Sequence, residues 1–380
     1  MKSGCRMFAA LSLSWLMIAC VPEAAGAQAP RSAAAARGKP LYESACVACH
    51  GRDGRGQPQS TLGFDVPVPD FTDCAFNSAE PDADWHAIIA EGGTVRGFDR
   101  RMPAFGGVLT REQIDDVLAY VRTMCPSSSW PRGDLNLPRP LRTEKAFPEN
   151  EAVLTTTVDT TGDGAVSNEF LYEHRLGSRS QYEIKVPLLL RQRARSRDTA
   201  PGWARGLGDV AAGFKHVLYH SRDRGTIVSG GGEAIFPTGK EDRGLGAGTL
   251  VFEPFVTCGQ MLPRDGFVQA HAGVELPADR ERASREAFWR VAVGRTFAEG
   301  NGVGRAWSPM VELLGARDLE DSAVTNWDLV PQMQVTLSTR QHVMMSAGVQ
   351  IPVNERRGRG ARVLFYLLWD WFDGGFFDGW

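Results

Sequence analysis

The pattern Cys46-Val47-Ala48-Cys49-His50 is the most informative part of this 380-residue chain. Its two thiols lie three positions apart, within one helical turn, and each can add to a vinyl group of a haem. The adjoining imidazole of His50 can then bind the iron. A bare Cys-x-x-Cys is equally typical of a redox dithiol or of half a zinc site. The immediate histidine and the lack of a second such pair in the sequence favour one covalently bound haem c.

A second axial ligand is predicted in the loop Met102-Pro103-Ala104-Phe105. A thioether stabilises ferrous iron, and a Met/His ligand pair raises the reduction potential, which suits electron transfer. Met124 fits the apolar face of a helix instead, and core packing is the ordinary role of such a methionine. His86 is the alternative ligand, although it lies in the short helix-like segment Asp84–Glu91, where a surface histidine is common.

Residues 38–125 resemble a class I cytochrome c domain. The resemblance rests on a set of local motifs, namely Cys46–Gly51, Gly54, Gly56, the Met102–Phe105 loop and a closing helix at about 110–124 that begins at Thr110. It implies a small helical fold around a single covalent haem, with His50 and Met102 as axial ligands. Pro67 and Pro69 are the candidates for the carbonyl that orients His50 through its other ring nitrogen.

Two more cysteines, Cys74 and Cys125, flank the predicted ligand loop. In an oxidising compartment they can form a disulfide that ties the last helix to the middle of the domain. Two buried free thiols are the alternative. The sequence favours the disulfide.

The charge balance favours a protein partner over nucleic acid. The whole chain carries a net charge of −3, and residues 39–125 contain eight basic and thirteen acidic residues. We therefore expect a redox partner with a basic docking surface. Arg96, Arg100 and Arg101 precede Met102 and are expected either to pair with the haem propionates or to lie solvated on the surface.

The first 27 residues predict export from the cytoplasm. Lys2 and Arg6 precede an apolar run over Phe8–Val21, and Ala25-Gly26-Ala27 follows, as in a secretory signal peptide cleaved after Ala27. A short membrane anchor and lipid attachment at Cys20 are the alternatives. Each places the mature protein where disulfides are permitted.

Residues 126–150 are predicted to be a semi-rigid, Pro-rich linker. This polar stretch contains three consecutive serines and five prolines, at positions 126, 131, 138, 140 and 148. The helical period ends here.

Beyond the linker, apolar residues recur with a period of two. In Asn326–Ser338 the odd positions are apolar or Pro331, and the even positions are polar except Val330. Tyr182–Leu190 shows the same alternation. About ten to twelve such segments lie between Val153 and Phe372, and each is typical of a strand with one apolar face.

These strands fit an outer-membrane β-barrel better than a soluble sandwich or barrel. The clearer segments are roughly nine to thirteen residues long, as lipid-spanning strands require, and their polar faces carry Gln, Glu, His and Arg. The region also resembles outer-membrane barrels of the transporter-like type linked to phenol degradation. That resemblance rests on the glycine-rich segments Gly206–Asp209, Gly213–Lys215, Phe236–Gly239 and Gly244–Gly248.

The sequence thus predicts an all-α cytochrome c domain followed by an all-β, up-and-down antiparallel barrel of about 10–12 strands. Its predicted parts are a signal peptide (1–27), a cytochrome domain (38–125), a linker (126–150) and a barrel (151–380), which is placed in outer-membrane lipid. The expected function is electron transfer at the outer membrane by a periplasmic domain, without catalysis of its own. The alternatives are a solute transporter with an accessory cytochrome, and a cytochrome subunit that takes electrons from a separate periplasmic dehydrogenase.

Overall fold

A computed structural model describes residues 28–160, 164–193, 202–299, 304–355 and 359–371. The predicted signal peptide, Cys20 and the last nine residues of the chain lie outside these ranges. In the described residues, no helix is long and apolar enough to cross a membrane.

The first part of the chain is helical. Its α-helices are α1 (Gln28–Ala45), α2 (Val47–His50), α3 (Gln59–Leu62), α4 (Cys74–Ala79), α5 (Asp82–Glu91) and α6 (Arg111–Arg122), and short 3-10 turns occupy Gly93–Arg96 and Gly133–Leu135. Helix α6 begins after the predicted cap, Thr110, whose hydroxyl accepts a hydrogen bond from the backbone N–H of Gln113.

Helices α1 and α6 cross in close contact at Gly38. A Cβ atom at this position would lie 1.8 Å from the carbonyl oxygen of Asp116, so only glycine allows the two backbones to approach. Beside the crossing, Arg37 donates two hydrogen bonds to the Asp116 carboxylate at 2.7 and 2.6 Å. Tyr42, Val117 and neighbouring apolar side chains are buried below it and form the core of the helical domain.

The second part of the chain is all β. Its strands are β1 (Glu151–Asp159), β2 (Ala165–Leu176), β3 (Ser180–Arg193), β4 (Gly202–Leu207), β5 (Val210–Ser221), β6 (Thr226–Phe236), β7 (Val251–Leu262), β8 (Gly266–Pro277), β9 (Glu286–Arg295), β10 (Phe297–Ala298), β11 (Ala306–Asp318), β12 (Asn326–Thr336), β13 (Val343–Pro352) and β14 (Arg362–Asp370).

The strands close into a twelve-position antiparallel barrel. Successive long strands pair with one another, and β1 pairs with β14. The short strand β4 pairs with β3 beside β5, and the short strand β10 pairs with β11 beside β9. The pairing of β9 with β11 completes the circle. The prediction of an up-and-down barrel of about 10–12 strands is confirmed.

The apolar face of the strands points outward. In β12, Leu329 and Met333 are 39% and 41% exposed, whereas Gln332 and Gln334 are 7% and 4% exposed. A soluble barrel would reverse this pattern, because its apolar face would fill the interior. Val330, which breaks the polar face in the sequence, is buried in the lumen and packs in one cluster with Leu141.

Leu141 belongs to a stretch of the predicted linker that runs through the barrel. Residues 135–149 lie in the lumen, and three apolar side chains of this lumenal segment meet apolar patches on the inner wall. Leu135 and Phe147 pack near Val217 and Ile227, and Leu137 packs near Phe267. This part of the 126–150 segment lies inside the second domain, beside a lumenal cavity of about 270 Å³.

Polar groups of the lumenal segment are matched by the inner wall. Glu312 on β11 accepts hydrogen bonds from the backbone N–H groups of Arg142, at 3.0 Å, and Thr143, at 2.7 Å. The Glu144 side chain accepts a hydrogen bond from Lys215 at 2.7 Å. Such partners remove the cost of burying an irregular backbone.

The helical domain docks on one end of the barrel. Because the strands alternate in direction, the turns at 222–225 and 337–342 lie at the end where β1 begins, and we call these two turns the docking rim. Asp82 accepts a hydrogen bond from Arg222 at 3.1 Å, and Arg31 forms an ion pair with Asp223 at 2.9 Å. The two domains therefore make direct contact besides being joined by the chain.

Candidate functional site

The four residues predicted to hold haem, Cys46, Cys49, His50 and Met102, line one cavity of about 760 Å³ in the helical domain. The remaining wall is largely apolar, and its aromatic members are Tyr42, Phe64, Phe71, Phe76, Trp85, Phe98 and Phe105. A mostly apolar cavity with a few convergent donor atoms is typical of a cofactor site.

His50 offers a neutral imidazole to this cavity. It ends helix α2, and its ring stacks on Phe71 with the centroids 4.8 Å apart. Burial lowers the pKa of His50 to about 4, so the ring keeps a lone pair for a metal at neutral pH. Its Nδ1 atom is buried and makes no hydrogen bond in the described part of the chain, so neither Pro67 nor Pro69 accepts one there, although both line the cavity.

The two cysteines face the same cavity as free thiols. The backbone N–H of His50 donates to the carbonyl of Cys46 at 2.9 Å, and this helical turn brings the three side chains together. Burial, with a smaller contribution from Cys49, raises the pKa of the Cys46 thiol to about 11. A redox dithiol requires a depressed thiol pKa, so this environment disfavours that alternative.

The Met102 loop is held against a glycine pair. The backbone N–H of Gly93 donates to the carbonyl oxygen of Met102 at 3.0 Å, and Gly92 has a φ of +85°. A Cβ atom on Gly93 would lie 3.1 Å from the Cβ of Met102. These contacts fix the loop, and with it the thioether, at the cavity wall.

The rival residues lie elsewhere. His86 hydrogen-bonds through Nδ1 to Asp115 at 2.8 Å and does not line the cavity. Met124 packs with the apolar core of the domain, and its sulfur lies against Gly54.

Cys74 and Cys125 are joined by a disulfide, with their Cα atoms 5.2 Å apart. It ties the first residue of α4 to the chain just beyond α6. The loop that carries Met102 is thereby enclosed in a covalent ring.

The three arginines ahead of Met102 have different surroundings. Arg96 is buried and donates to Asp84 at 2.9 and 2.8 Å. Arg101 lines the cavity and pairs with Asp99 at 3.0 Å, whereas Arg100 is exposed and does not line it.

Two further residues of the cavity wall come from the barrel. Arg340 and His342, on the docking rim, line the same cavity as His50 and Met102. Sequence reasoning missed both, because nothing local connects a turn near residue 340 with a motif near residue 46.

A cluster of three buried carboxylates in the barrel, from Glu144, Glu173 and Glu183, resembles a metal site by distance alone, since one oxygen from each lies within 4.8 Å of the others. Each, however, lies beside a cation: Lys215 at 2.7 Å from Glu144, Arg139 at 2.7 Å from Glu173, and Lys185 at 3.2 Å from Glu183. The cluster is an internal ion-pair network.

Comparison with known proteins divides the chain in the same way. Residues 33–121 match the family described as cytochrome c oxidase, cbb3-type, subunit III. No curated protein was found to match the chain.

Solved structures similar to the chain include several barrels. The KdgM porin is 8% identical with a TM-score of 0.39, and 58% of this chain and 99% of that chain are covered. An outer-membrane channel from Pseudomonas putida F1 is 12% identical with a TM-score of 0.40, over 62% of this chain and 100% of that chain. The β domain of the Bordetella autotransporter BrkA is 14% identical with a TM-score of 0.39, over 59% of this chain and 100% of that chain.

The donor set fits the group that the family implies: two neighbouring thiols, a neutral imidazole and a thioether surround one apolar cavity. Residues 33–121 are a cytochrome c domain, which implies haem c and a redox partner, and this domain is fused to a closed twelve-stranded antiparallel β-barrel.

Proposed function

We propose that the chain transfers single electrons through one covalently bound haem c that the barrel holds at the outer membrane. The observation that carries this proposal is the convergence of Cys46, Cys49, His50 and Met102 on one cavity. When bound, haem c supplies reversible one-electron chemistry at its iron.

The four residues have different roles in binding the cofactor. Cys46 and Cys49 form the two thioether links, which prevent loss of the haem in an open compartment. His50 and Met102 would be the two protein ligands of the iron, and such a pair favours the ferrous state more than two histidines would. A haem held by both residues would supply electron transfer, which suits a carrier.

The outward apolar face supports a lipid environment for the barrel. Leu313, Leu329 and Phe365 are 43%, 39% and 37% exposed in the middle parts of long strands. In water such a continuous apolar surface would be unstable, whereas in lipid it is required. Twelve of the fourteen described strands have 9–14 residues, which is long enough for the 9–11 residues that crossing the apolar layer takes, so we assign the barrel to the outer membrane.

The lengths of the turns support a periplasmic position for the cytochrome domain. The docking-rim end of the barrel carries the longer connection between β9 and β11 and four turns of three to six residues (177–179, 222–225, 263–265 and 337–342). The opposite end carries short connections between β1 and β2 and between β4 and β5, and four connections of seven to fourteen residues (237–250, 278–285, 319–325 and 353–361). Outer-membrane barrels place short turns in the periplasm. The acidic balance of residues 39–125 favours a periplasmic redox partner with a basic docking surface.

The segment inside the lumen favours an electron carrier over a solute transporter. The lumenal segment occupies the interior with buried groups such as Leu135, Glu144 and Phe147. We therefore expect liposomes that contain the full chain to retain a small neutral solute as well as empty liposomes do. Leakage of the solute would favour the transporter alternative.

Spectroscopy of the full chain tests the central proposal. Pyridine haemochrome and haem-stained denaturing gels measure covalent haem, which we expect in the wild type and not in the Cys46→Ala/Cys49→Ala variant. Met102→Leu is expected to lose the low-spin, sulfur-ligated spectrum and to lower the midpoint potential, whereas Met124→Leu, a core methionine, is the matched control and keeps both. A wild type without covalent haem would refute the proposal.

A further inference from the structure

The cavity of the cytochrome domain is completed by the barrel. Its wall includes Arg340 and His342, which lie more than 200 residues beyond the family match at 33–121. Both belong to the docking-rim turn between β12 and β13. The barrel therefore supplies part of the immediate surroundings of the site in addition to a place of attachment.

This turn is held firmly against the cytochrome domain. His342 is 3% exposed, hydrogen-bonds to Asp370 at the end of β14 and lies 3.6 Å from the Glu80 carboxylate. The Arg340 guanidinium lies over the ring of Phe98, with 4.4 Å between its carbon and the ring centroid. Phe98 itself lines the cavity, so Arg340 is positioned by a residue of the site.

The charges around the cavity give Arg340 a role. The cavity wall has more acidic residues than arginines. The five acidic residues are Asp70, Asp73, Glu80, Asp84 and Asp99, and the three arginines are Arg96, Arg101 and Arg340. Arg340 is the arginine of this wall that the barrel supplies, and its side chain is half-buried. A haem adds two propionate carboxylates to this acidic wall, and an arginine is the side chain best suited to bind a carboxylate in a partly buried place.

We propose that Arg340 of the barrel is a positioning residue of the haem site, which binds a haem propionate and raises the reduction potential of the iron. This inference rests on the proposed haem-binding function. A fixed positive charge favours the ferrous form because that form carries one negative charge more than the ferric form. The barrel thereby raises the reduction potential of the haem that it holds at the membrane.

The test compares three variants of the full chain in lipid or detergent. Arg340→Gln removes the charge, Arg340→Lys retains it, and Arg224→Gln removes an exposed arginine from the other turn of the docking rim. The midpoint potential is measured by spectroelectrochemical titration, and covalent haem by pyridine haemochrome. At an effective dielectric constant of about 20, a unit charge at about 10 Å changes an equilibrium on the order of tenfold. We expect Arg340→Gln to lower the ferrous-to-ferric ratio at fixed potential by that order, with the other two variants near the wild type.

Phe98→Leu gives a second measurement, because it removes the ring that positions Arg340 and keeps the charge; we expect a smaller shift in the same direction. Unchanged potentials in both Arg340→Gln and Phe98→Leu, with haem attached, would overturn the role of Arg340 and leave the proposed function intact. Equal shifts in Arg340→Gln and Arg340→Lys would also overturn it, since packing alone would then explain them. A wild type without covalent haem would end both proposals.

Discussion

Arg139 holds the lumenal segment to the barrel wall. Its guanidinium forms ion pairs with Glu151 on β1 and, at 2.7 Å, with Glu173 on β2, and it lies 3.7 Å from Glu144. The hydroxyl of Tyr366 also donates to the Arg139 carbonyl oxygen at 2.8 Å. All these groups are buried, so we expect Arg139→Met to release the segment.

The expected effect is large because the carboxylates remain. Removal of one partner from a buried ion pair costs about 3–5 kcal/mol, since the other charge stays buried without compensation. Methionine has a similar length and keeps much of the packing. If this free energy destabilises the state in which the lumenal segment lies against the wall, the segment opens on the order of 10²–10⁴-fold more often.

Protease cleavage after Lys145 measures that opening. Lys145 is 5% exposed in the lumen and can be cut only when the segment leaves the wall. When opening and closing are fast, the cleavage rate follows the population of the open form. Native full-length protein is treated with a lysine-specific protease, and the fragment that ends at Lys145 is followed by mass spectrometry.

Arg282→Met is the matched control. Arg282 pairs with Glu241 and Asp279 on the outside of the protein, where both partners are about half exposed, and such pairs contribute little. We expect its cleavage rate to equal that of the wild type. A wild-type rate in Arg139→Met, or equal acceleration in both variants, would contradict the view that the buried network holds the segment.

Three further predictions concern docking, lipid contact and the disulfide. Burial works to raise the pKa of Asp82, but Arg132, Arg122 and Arg222 outweigh it and hold the pKa below its ordinary value. The stabilisation that Asp82 gives to docking is therefore constant above about pH 4 and is lost as the pH falls further, which hydrogen exchange in α5 measures. Leu313→Arg is expected to destabilise a membrane barrel by about 2–4 kcal/mol in urea unfolding from lipid. Loss of the Cys74–Cys125 disulfide, in a double alanine variant, is expected to cost the cytochrome domain about 2–4 kcal/mol in chemical unfolding.

Each of these three predictions has its own control. Asp82→Asn should show weaker docking at neutral pH and little further change in acid, and an identical acid response in both proteins would exclude Asp82 as the cause. Val108→Arg, at a position 78% exposed in the cytochrome domain, should leave the free energy of unfolding unchanged. If Leu313→Arg left it unchanged as well, the result would favour a soluble barrel. Unfolding of the disulfide variant is compared with the wild type under reducing conditions, where any remaining difference would come from the alanines alone.

The haem motif and the strands could be predicted because their signals are local. Cys46, Cys49 and His50 are adjacent in sequence, and one helical turn is enough to bring them together. The alternation in Asn326–Ser338 predicts a strand with one apolar face. The outward direction of that face was predicted from strand length and from the polar residues opposite it, and the exposure of Leu329 and Met333 agrees.

The course of the linker could not be predicted. A solvated connector and a segment inside a polar barrel have the same composition, since each must satisfy an irregular backbone with polar partners. What separates them in the structure is a set of distant partners, such as Glu312 for Thr143 and Tyr366 for Arg139. The only local hint was Val330, an apolar residue on a polar face that packs near Leu141.

The amino-acid sequence alone predicted the cofactor chemistry and the strand pattern of this protein, because both depend on spacings of a few residues. The tertiary structure decided what lies inside the barrel and what closes the cavity of the cytochrome domain. Arg340 and His342 approach the cavity of His50 across nearly 300 residues of chain. Closure of the barrel fixes the positions of its end turns in space, and no local pattern encodes which of those turns meets a domain docked on the rim.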